Sequence, residues 1–164
     1  MIILICGKIC SGKTWYTNQL LKTHRAICLS CDELMLTLNS SGLFGDKHDE
    51  IASRVQQYLL KKAEELTALD VDVILEWGFW TREGRKQMRE YFQEKGIPCQ
   101  WHYLDISEED WMANIEQRNE EILAGRTDAY FMDEGLMEKL KRLFEEPDRD
   151  EMDVWYPVRR EKIK

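Results

Sequence analysis

One segment near the start of the sequence has the composition of a phosphate-binding loop. Residues 7–14 read GKICSGKT and match the Walker A pattern G-x-x-x-x-G-K-[ST], which binds nucleoside triphosphates. Gly7 and Gly12 permit backbone angles that turn successive N–H groups inward. Lys13 can reach the β- and γ-phosphates, and the hydroxyl of Thr14 can hold Mg²⁺. The whole motif is therefore expected to bind the nucleotide: Gly7, Lys8, Ile9, Cys10, Ser11, Gly12, Lys13 and Thr14.

The elements around this motif fit its chemistry. An apolar run at residues 2–6 predicts a buried strand before it, and a helix is expected from Ser11 to Thr23. The positive end of that helix adds to the attraction for phosphate. The guanine-specific pattern N-K-x-D does not occur in the sequence, so the expected cofactors are ATP and Mg²⁺ rather than GTP.

Asp32 follows the second predicted strand and is a candidate general base. Ligands of open parallel sheets bind beyond the carboxyl ends of the strands, where Asp32 is expected to lie. A carboxylate there can take the proton of a hydroxyl group that attacks the γ-phosphate. Asp32 could instead cap a helix that begins at Glu33, and Glu33 could itself be the base.

Glu76 closes a third apolar run, in the manner of a Walker B acid. Such an acid reaches Mg²⁺ directly or through water, although glutamate replaces the more usual aspartate here. Glu76 could also hold the acceptor, or be a solvent-exposed acid at the end of a strand. Trp77 and Trp80 follow it and could form the aromatic wall of an acceptor pocket, or belong to the core.

Arg82 and Arg85 begin the next predicted helix. Arginine is unfavourable in a first helical turn because of the helix dipole, so two arginines there suggest that they bind an anionic acceptor. Pairing on the surface with Glu83 and Glu90 is the alternative.

The composition limits the class of protein. The chain has 164 residues and a net charge of −8, which argues against a nucleic-acid-binding surface. No apolar run approaches the roughly 20 residues that cross a bilayer. The apolar start is short for a signal peptide, and the five cysteines are expected to be free thiols. Together these features lead us to expect a cytoplasmic protein.

Short strands alternate with longer helices along the chain. Strands are expected at residues 2–6, 26–29, 71–75, 99–104 and 154–156. Helices are expected at residues 11–23, 32–38, 49–69, 81–95, from 107 onward and at 133–144. This alternation predicts an α/β fold, a doubly wound parallel sheet with helices on both faces and a helical lid.

Several segments together resemble a group of P-loop kinases. They are residues 7–14, 29–32, 75–85 (LEWGFWTREGR), 103–105 and 117–119. The sequence is similar to zeta toxins, chloramphenicol phosphotransferase and the kinase domain of polynucleotide kinase, and most similar to bacterial members labelled only as AAA-family ATPases. The resemblance implies a five-stranded sheet of order 2-3-1-4-5, one domain over residues 1–164 and a lid near residues 115–132.

The resemblance also assigns roles to individual residues. It implies that Asp32 is the base and that Arg118 closes over the phosphates and adenine. Many such kinases have a second arginine four residues earlier, where this chain has Asn114, so Arg126 is the expected replacement. Surface pairing of both arginines with nearby glutamates is the alternative.

These observations predict an enzyme that transfers the γ-phosphate of ATP to a hydroxyl group of a small molecule. Lys13, Asp32, Arg118 and Arg126 are its expected catalytic residues. A polynucleotide 5′-hydroxyl kinase and a toxin-like or regulatory nucleotide-binding protein with low turnover are the alternatives. Neither the acceptor nor the oligomeric state can be derived from the sequence.

Overall fold

The short apolar segments form the strands of one sheet, as their composition predicts. The computed structural model describes residues 1–39, 44–127 and 129–160. The strands within these residues are β1 (Ile2–Cys6), β2 (Ala26–Leu29), β3 (Asp72–Gly78), β4 (Cys99–Ile106) and β5 (Val154–Val158). The helices are α1 (Lys13–Thr23), α2 (Cys31–Leu38), α3 (His48–Thr67), α4 (Arg82–Glu94), α5 (Glu108–Leu123) and α6 (Glu134–Leu143).

The sheet has the expected strand order β2-β3-β1-β4-β5. All neighbouring strands run parallel, so the carboxyl ends of all five meet at one edge. β1 lies in the centre between β3 and β4, and all five of its residues are buried. The Walker A loop that follows β1 therefore starts in the middle of the sheet edge where ligands bind.

Each face of the sheet carries its own core, because alternate residues of β1 point to opposite faces. Leu4 packs in a cluster with Ala63 of α3 and Phe92 of α4. Ile3 packs in the other cluster with residues of α1, α5 and α6, which include Trp111. The expected doubly wound α/β architecture is thus confirmed.

Two element boundaries differ from the sequence prediction in ways that affect the site. β3 continues to Gly78, so Glu76 lies inside the strand rather than at its end. α2 begins at Cys31, and the side chain of Ser30 caps it by accepting a hydrogen bond from the backbone N–H of Glu33. The sequence NSSG at residues 39–42 predicts a turn after α2, and residues 40–42 of it lie outside the described residues.

The cysteines are free thiols, as expected. Burial raises the pKa of Cys6, Cys28 and Cys31 to about 12, so these thiols stay protonated at neutral pH. In the described part of the chain, no helix has both the length and the apolar character needed to cross a membrane.

Candidate active site

The loop between β1 and α1 has the backbone of a phosphate-binding site. Gly12 has a φ of 88° and precedes α1, whose first N–H groups receive no side-chain cap. A Cβ atom on Gly7 would lie 2.7 Å from Ser11 Oγ, so a larger residue there would force the loop side chains to shift. Ser11 Oγ is buried and has no hydrogen-bond partner among the described residues. Uncapped amides and a buried hydroxyl in one concave loop fit an anionic phosphate chain.

Lys13 lies along the inner side of this loop. Its Nζ donates to the carbonyl oxygen of Lys8 at 2.8 Å and is 3.4 Å from that of Gly7. Desolvation lowers the pKa of Lys13, while the charges of Asp32 and Glu76 oppose this change. Asp32 and Glu76, two carboxylates predicted for the site, therefore lie close enough to Lys13 to influence its pKa.

The side chains of Thr14 and Glu76 are in contact, as expected for the threonine of a Walker A motif and the acid of a Walker B motif. The hydroxyl of Thr14 donates to Glu76 Oε1 at 2.6 Å, which joins the first turn of α1 to β3. Mg²⁺ in nucleotide sites is usually held by one or two protein oxygens, phosphates and water. The described residues contain no group of three or more His, Cys, Asp or Glu side chains that could hold a metal ion. Thr14 and Glu76 are thus suited to hold a nucleotide-bound Mg²⁺.

Asp32 is exposed in the first turn of α2 and is not its cap. The alternative in which Asp32 caps the helix is wrong, because Ser30 performs that function. Besides its effect on Lys13, the charge of Asp32 raises the pKa of Tyr130, although desolvation is the larger cause of that rise. Asp32 thus lies between the phosphate-binding loop and the segment that follows α5, with its carboxylate accessible.

Helix α5 packs directly on the phosphate-binding loop. Arg118 Nη1 donates to Cys10 Sγ at 3.2 Å, and Asn114 Nδ2 donates to the carbonyl oxygen of Cys10 at 3.1 Å. Cys10 has a φ of 58°, and Asn114 therefore supports a loop residue in the left-handed region. Asn114 thus contacts the loop at the position where the resemblance implied an arginine. Sequence reasoning treated Asn114 only as a missing charge.

Arg126 does not join this cluster. Its side chain is exposed, and its backbone N–H donates to the carbonyl oxygen of Glu121 in the turn after α5. Arg160, which sequence reasoning did not consider, reaches α5 from the end of β5: its Nη2 donates to Gln117 Oε1 at 3.3 Å. The lid expected near residues 115–132 includes residue 128, which lies outside the described residues.

The two tryptophans after Glu76 have different environments. Trp77 packs against the core, and its Nε1 donates to the carbonyl oxygen of Leu29 at 2.8 Å. This position favours the core alternative for Trp77 over an acceptor wall, because its polar atom is already used inside the protein. Trp80 instead lines a cavity beside Lys8 and Trp111.

Arg82 and Arg85, at the start of α4, are engaged within the protein. Arg85 is fully buried: its Nε donates to Glu151 Oε2 at 2.8 Å, and its Nη1 donates to the carbonyl oxygens of Phe79 and Glu145. Arg82 forms an exposed ion pair with Asp148 at 3.0 Å. The contacts of Arg85 describe a structural residue and argue against the expected binding of an acceptor.

Comparisons with known proteins agree with the fold. A family model described as an AAA domain matches residues 2–147. No curated protein matches the chain significantly.

Three solved structures with the same fold are kinases or nucleotide complexes. A sugar kinase from a Janibacter species is 16% identical, with a TM-score of 0.61 over 99% of this chain and 88% of its own. The APS kinase of Mycobacterium tuberculosis, solved with AMPPNP and APS, is 17% identical, with a TM-score of 0.59 over 99% of this chain and 92% of its own. Kti12 of Chaetomium thermophilum, solved with ADP-AlF3, is 15% identical, with a TM-score of 0.64 over 96% of this chain and 88% of its own. At these identities the similarity establishes the fold.

Proposed function

The chain belongs to the AAA-domain family, and on that premise we propose that it is an ATP-dependent phosphotransferase with a small-molecule hydroxyl group as acceptor. The observation that carries the proposal is the hydrogen bond of 2.6 Å between Thr14 and Glu76. It places the two candidate Mg²⁺ ligands together at the end of the loop that contains Lys13. A glycine-containing turn without a nucleotide function has no need for this pairing.

The chain has the groups that phosphoryl transfer uses. Transfer depends mainly on positioning and on neutralising the charge of the phosphates. Lys13 and Arg118 both contact the phosphate-binding loop and can supply positive charge to the phosphates. Mg²⁺, held by Thr14 and Glu76, supplies further charge neutralisation when it is bound. We place the lid near residues 115–132 and keep Arg126 as the candidate for its second arginine; Arg160, which contacts Gln117 of α5 from outside the lid, is an alternative source of that charge.

Asp32 is the group that we propose as general base. The acceptor hydroxyl oxygen forms a bond to the γ-phosphorus while the bond between that phosphorus and the oxygen of ADP breaks. The proton of the hydroxyl passes to the carboxylate of Asp32. An exposed carboxylate near Lys13 meets this requirement, because it can approach both the phosphate and an incoming acceptor.

The charge of the protein supports a small acceptor. A net charge of −8 opposes binding of a polynucleotide, whose affinity depends on cationic contacts to phosphate. Some structural neighbours phosphorylate small molecules, as the sugar kinase and the APS kinase do by name. The five free thiols also fit a reducing compartment, so we propose a single-domain cytoplasmic enzyme.

A screen for ATP consumption over pools of metabolites and antibiotics tests the proposal. With an acceptor in hand, Asp32→Asn is expected to lower kcat about 10²- to 10⁴-fold, the usual contribution of a general base, while ATP binding is retained. Glu33→Gln is the matched control, because it removes the neighbouring carboxylate from the same helical turn.

Three results would contradict parts of this proposal. Full activity of Asp32→Asn would refute the assignment of the base. Salt-sensitive labelling of an oligonucleotide 5′ end, with no small-molecule acceptor found, would favour the polynucleotide kinase. Binding of ATP without turnover on any acceptor would favour a regulatory nucleotide-binding protein.

A further inference from the structure

Residues 8–11 of the phosphate-binding loop form a tight turn with an unusual residue at its third position. The backbone N–H of Ser11 donates to the carbonyl oxygen of Lys8 at 3.2 Å, which closes a β-turn over these four residues. Of the two central residues of the turn, only Cys10 has a positive φ, of 58°. That pattern is typical of a type II turn, whose third position normally takes glycine. The side chain of a cysteine disfavours the backbone angles that this position requires.

The orientation of Lys13 depends on this turn, because the carbonyl oxygen of Lys8 accepts two hydrogen bonds. One comes from the N–H of Ser11 and the other from Lys13 Nζ at 2.8 Å. If Cys10 relaxed to a negative φ, the turn would open, and the carbonyl oxygen that orients Lys13 would move with it. The conformation of Cys10 therefore affects the lysine that we propose as a ligand of the nucleotide phosphates.

Asn114 of α5 holds the peptide group that follows Cys10. Its Nδ2 donates to the carbonyl oxygen of Cys10 at 3.1 Å, in a partly buried position. That carbonyl group and the N–H of Ser11 belong to one planar trans peptide group, so they point in opposite directions. By holding the oxygen, Asn114 therefore also fixes the direction in which the N–H of Ser11 points, which is toward Lys8.

A second contact between Cys10 and α5 involves the cysteine side chain. Arg118 Nη1 donates to Cys10 Sγ at 3.2 Å, one helical turn after Asn114. Sulfur is a weak hydrogen-bond acceptor, whereas a backbone carbonyl oxygen is a strong one. Asn114 therefore makes the stronger of the two contacts that oppose relaxation of Cys10.

We propose that Asn114 is a positioning residue for the phosphates of the nucleotide, because it keeps Cys10 in the left-handed conformation. The inference rests on the proposed function of the loop as a nucleotide site. Without the amide of Asn114, most copies of the loop would relax, and ATP would bind only the fraction that keeps the turn. The apparent Kd for ATP rises in inverse proportion to that fraction.

Calorimetric titration of the full chain with ATP and Mg²⁺ tests this role. Asn114→Ala is expected to weaken ATP binding roughly tenfold, since a left-handed residue with a side chain costs about one order of magnitude in an equilibrium constant. Asn114→Leu keeps the volume of the side chain without its donor and should weaken binding to the same extent. Asn18→Ala is the matched control, because it removes an exposed asparagine from α1, and it should bind ATP as the wild type does.

Glycine at position 10 distinguishes positioning of the loop from packing of α5. Glycine adopts a positive φ without a side-chain penalty, so in a Cys10→Gly background Asn114→Ala should weaken ATP binding less than about threefold. Both proteins of that pair lack the contact of Arg118 with sulfur, so the comparison isolates Asn114. An asparagine that only packed α5 against the protein would cause the same loss in both backgrounds.

The proposal is overturned if Asn114→Ala and Asn114→Leu bind ATP as tightly as the wild type, or if the loss is as large in the Cys10→Gly background. Thermal unfolding of every variant, measured in parallel, shows whether the protein is folded. A loss that glycine restores would support the role of Asn114 even if no acceptor were found, in which case only the phosphotransferase proposal fails. Failure of the wild type to bind ATP would overturn both.

Discussion

Replacement of Arg85 by methionine should lower the stability of the fold much more than it changes the binding of an acceptor. The Arg85 side chain is fully buried, and its partner Glu151 is only 17% exposed. Removing one member of a buried pair leaves an uncompensated charge, which typically costs about 3–5 kcal/mol. The carbonyl oxygens of Phe79 and Glu145 would also lose a donor. We therefore expect Arg85→Met to lower the free energy of unfolding by about 3–5 kcal/mol.

Urea unfolding followed by tryptophan fluorescence measures this change. The double variant Arg85→Met, Glu151→Leu should recover part of the loss, because no charge is then buried alone. Arg82→Met is the matched control from the same helical turn. Its ion pair with Asp148 has both side chains more than half exposed, so a change of less than about 1 kcal/mol is expected.

The opposite pattern would refute the structural role of Arg85. If Arg85→Met unfolded at the same urea concentration as the wild type, the guanidinium of Arg85 would not stabilise the segment after α6 that contains Glu145 and Glu151. If the same variant also raised the KM for an acceptor, the sequence-based role in acceptor binding would be restored.

Three further perturbations have defined outcomes. Gly78→Ala should destabilise the fold by about 1–3 kcal/mol in thermal unfolding, because Gly78 has a φ of 81° and a Cβ would lie 2.4 Å from Trp80 Nε1; an unchanged Tm would contradict this. Burial lowers the pKa of His102 to about 4, so the unfolded chain takes up this proton first as the pH falls. Stability should drop by about 2 kcal/mol between pH 7 and pH 5, and His102→Gln should remove that part of the pH dependence; an equal slope in both proteins would be the contrary result. Glu76→Gln should weaken the dependence of ATP binding on Mg²⁺ about tenfold or more, whereas binding measured in EDTA should stay the same; equal Mg²⁺ titrations would exclude Glu76 from the metal site.

The sequence predicts the sheet well because local patterns dominate there. Five apolar runs become five strands, and the helices expected from residues 81 and 107 begin there, where Thr81 and Ser107 each accept a hydrogen bond from a backbone N–H. The phosphate-binding loop can also be predicted from the sequence, since its glycines and its lysine lie within a few residues of one another. The contact between Thr14 and Glu76 follows once the two strands are known to be neighbours.

The environments of Trp77 and Arg85 could not be predicted in the same way. Both are determined by partners far away in sequence: Leu29 for Trp77, and Glu145 and Glu151 for Arg85. A helical position alone predicts exposure for an arginine, and only the return of the chain after α6 covers this one. The contact of Asn114 could not be predicted for a related reason. Its partner is the backbone carbonyl of Cys10, and the positions of backbone groups cannot be read from the sequence.

The attachment of α5 to the phosphate-binding loop limits how the protein can move during turnover. Trp111, Asn114 and Arg118 lie on successive turns of one helix, and each donates to Ile9 or Cys10. These hydrogen bonds hold α5 against the loop, so Arg118 contacts the loop without a large movement of the helix. In the role proposed for Arg118, the entropic cost of orienting its guanidinium would therefore be met during folding rather than at each catalytic cycle.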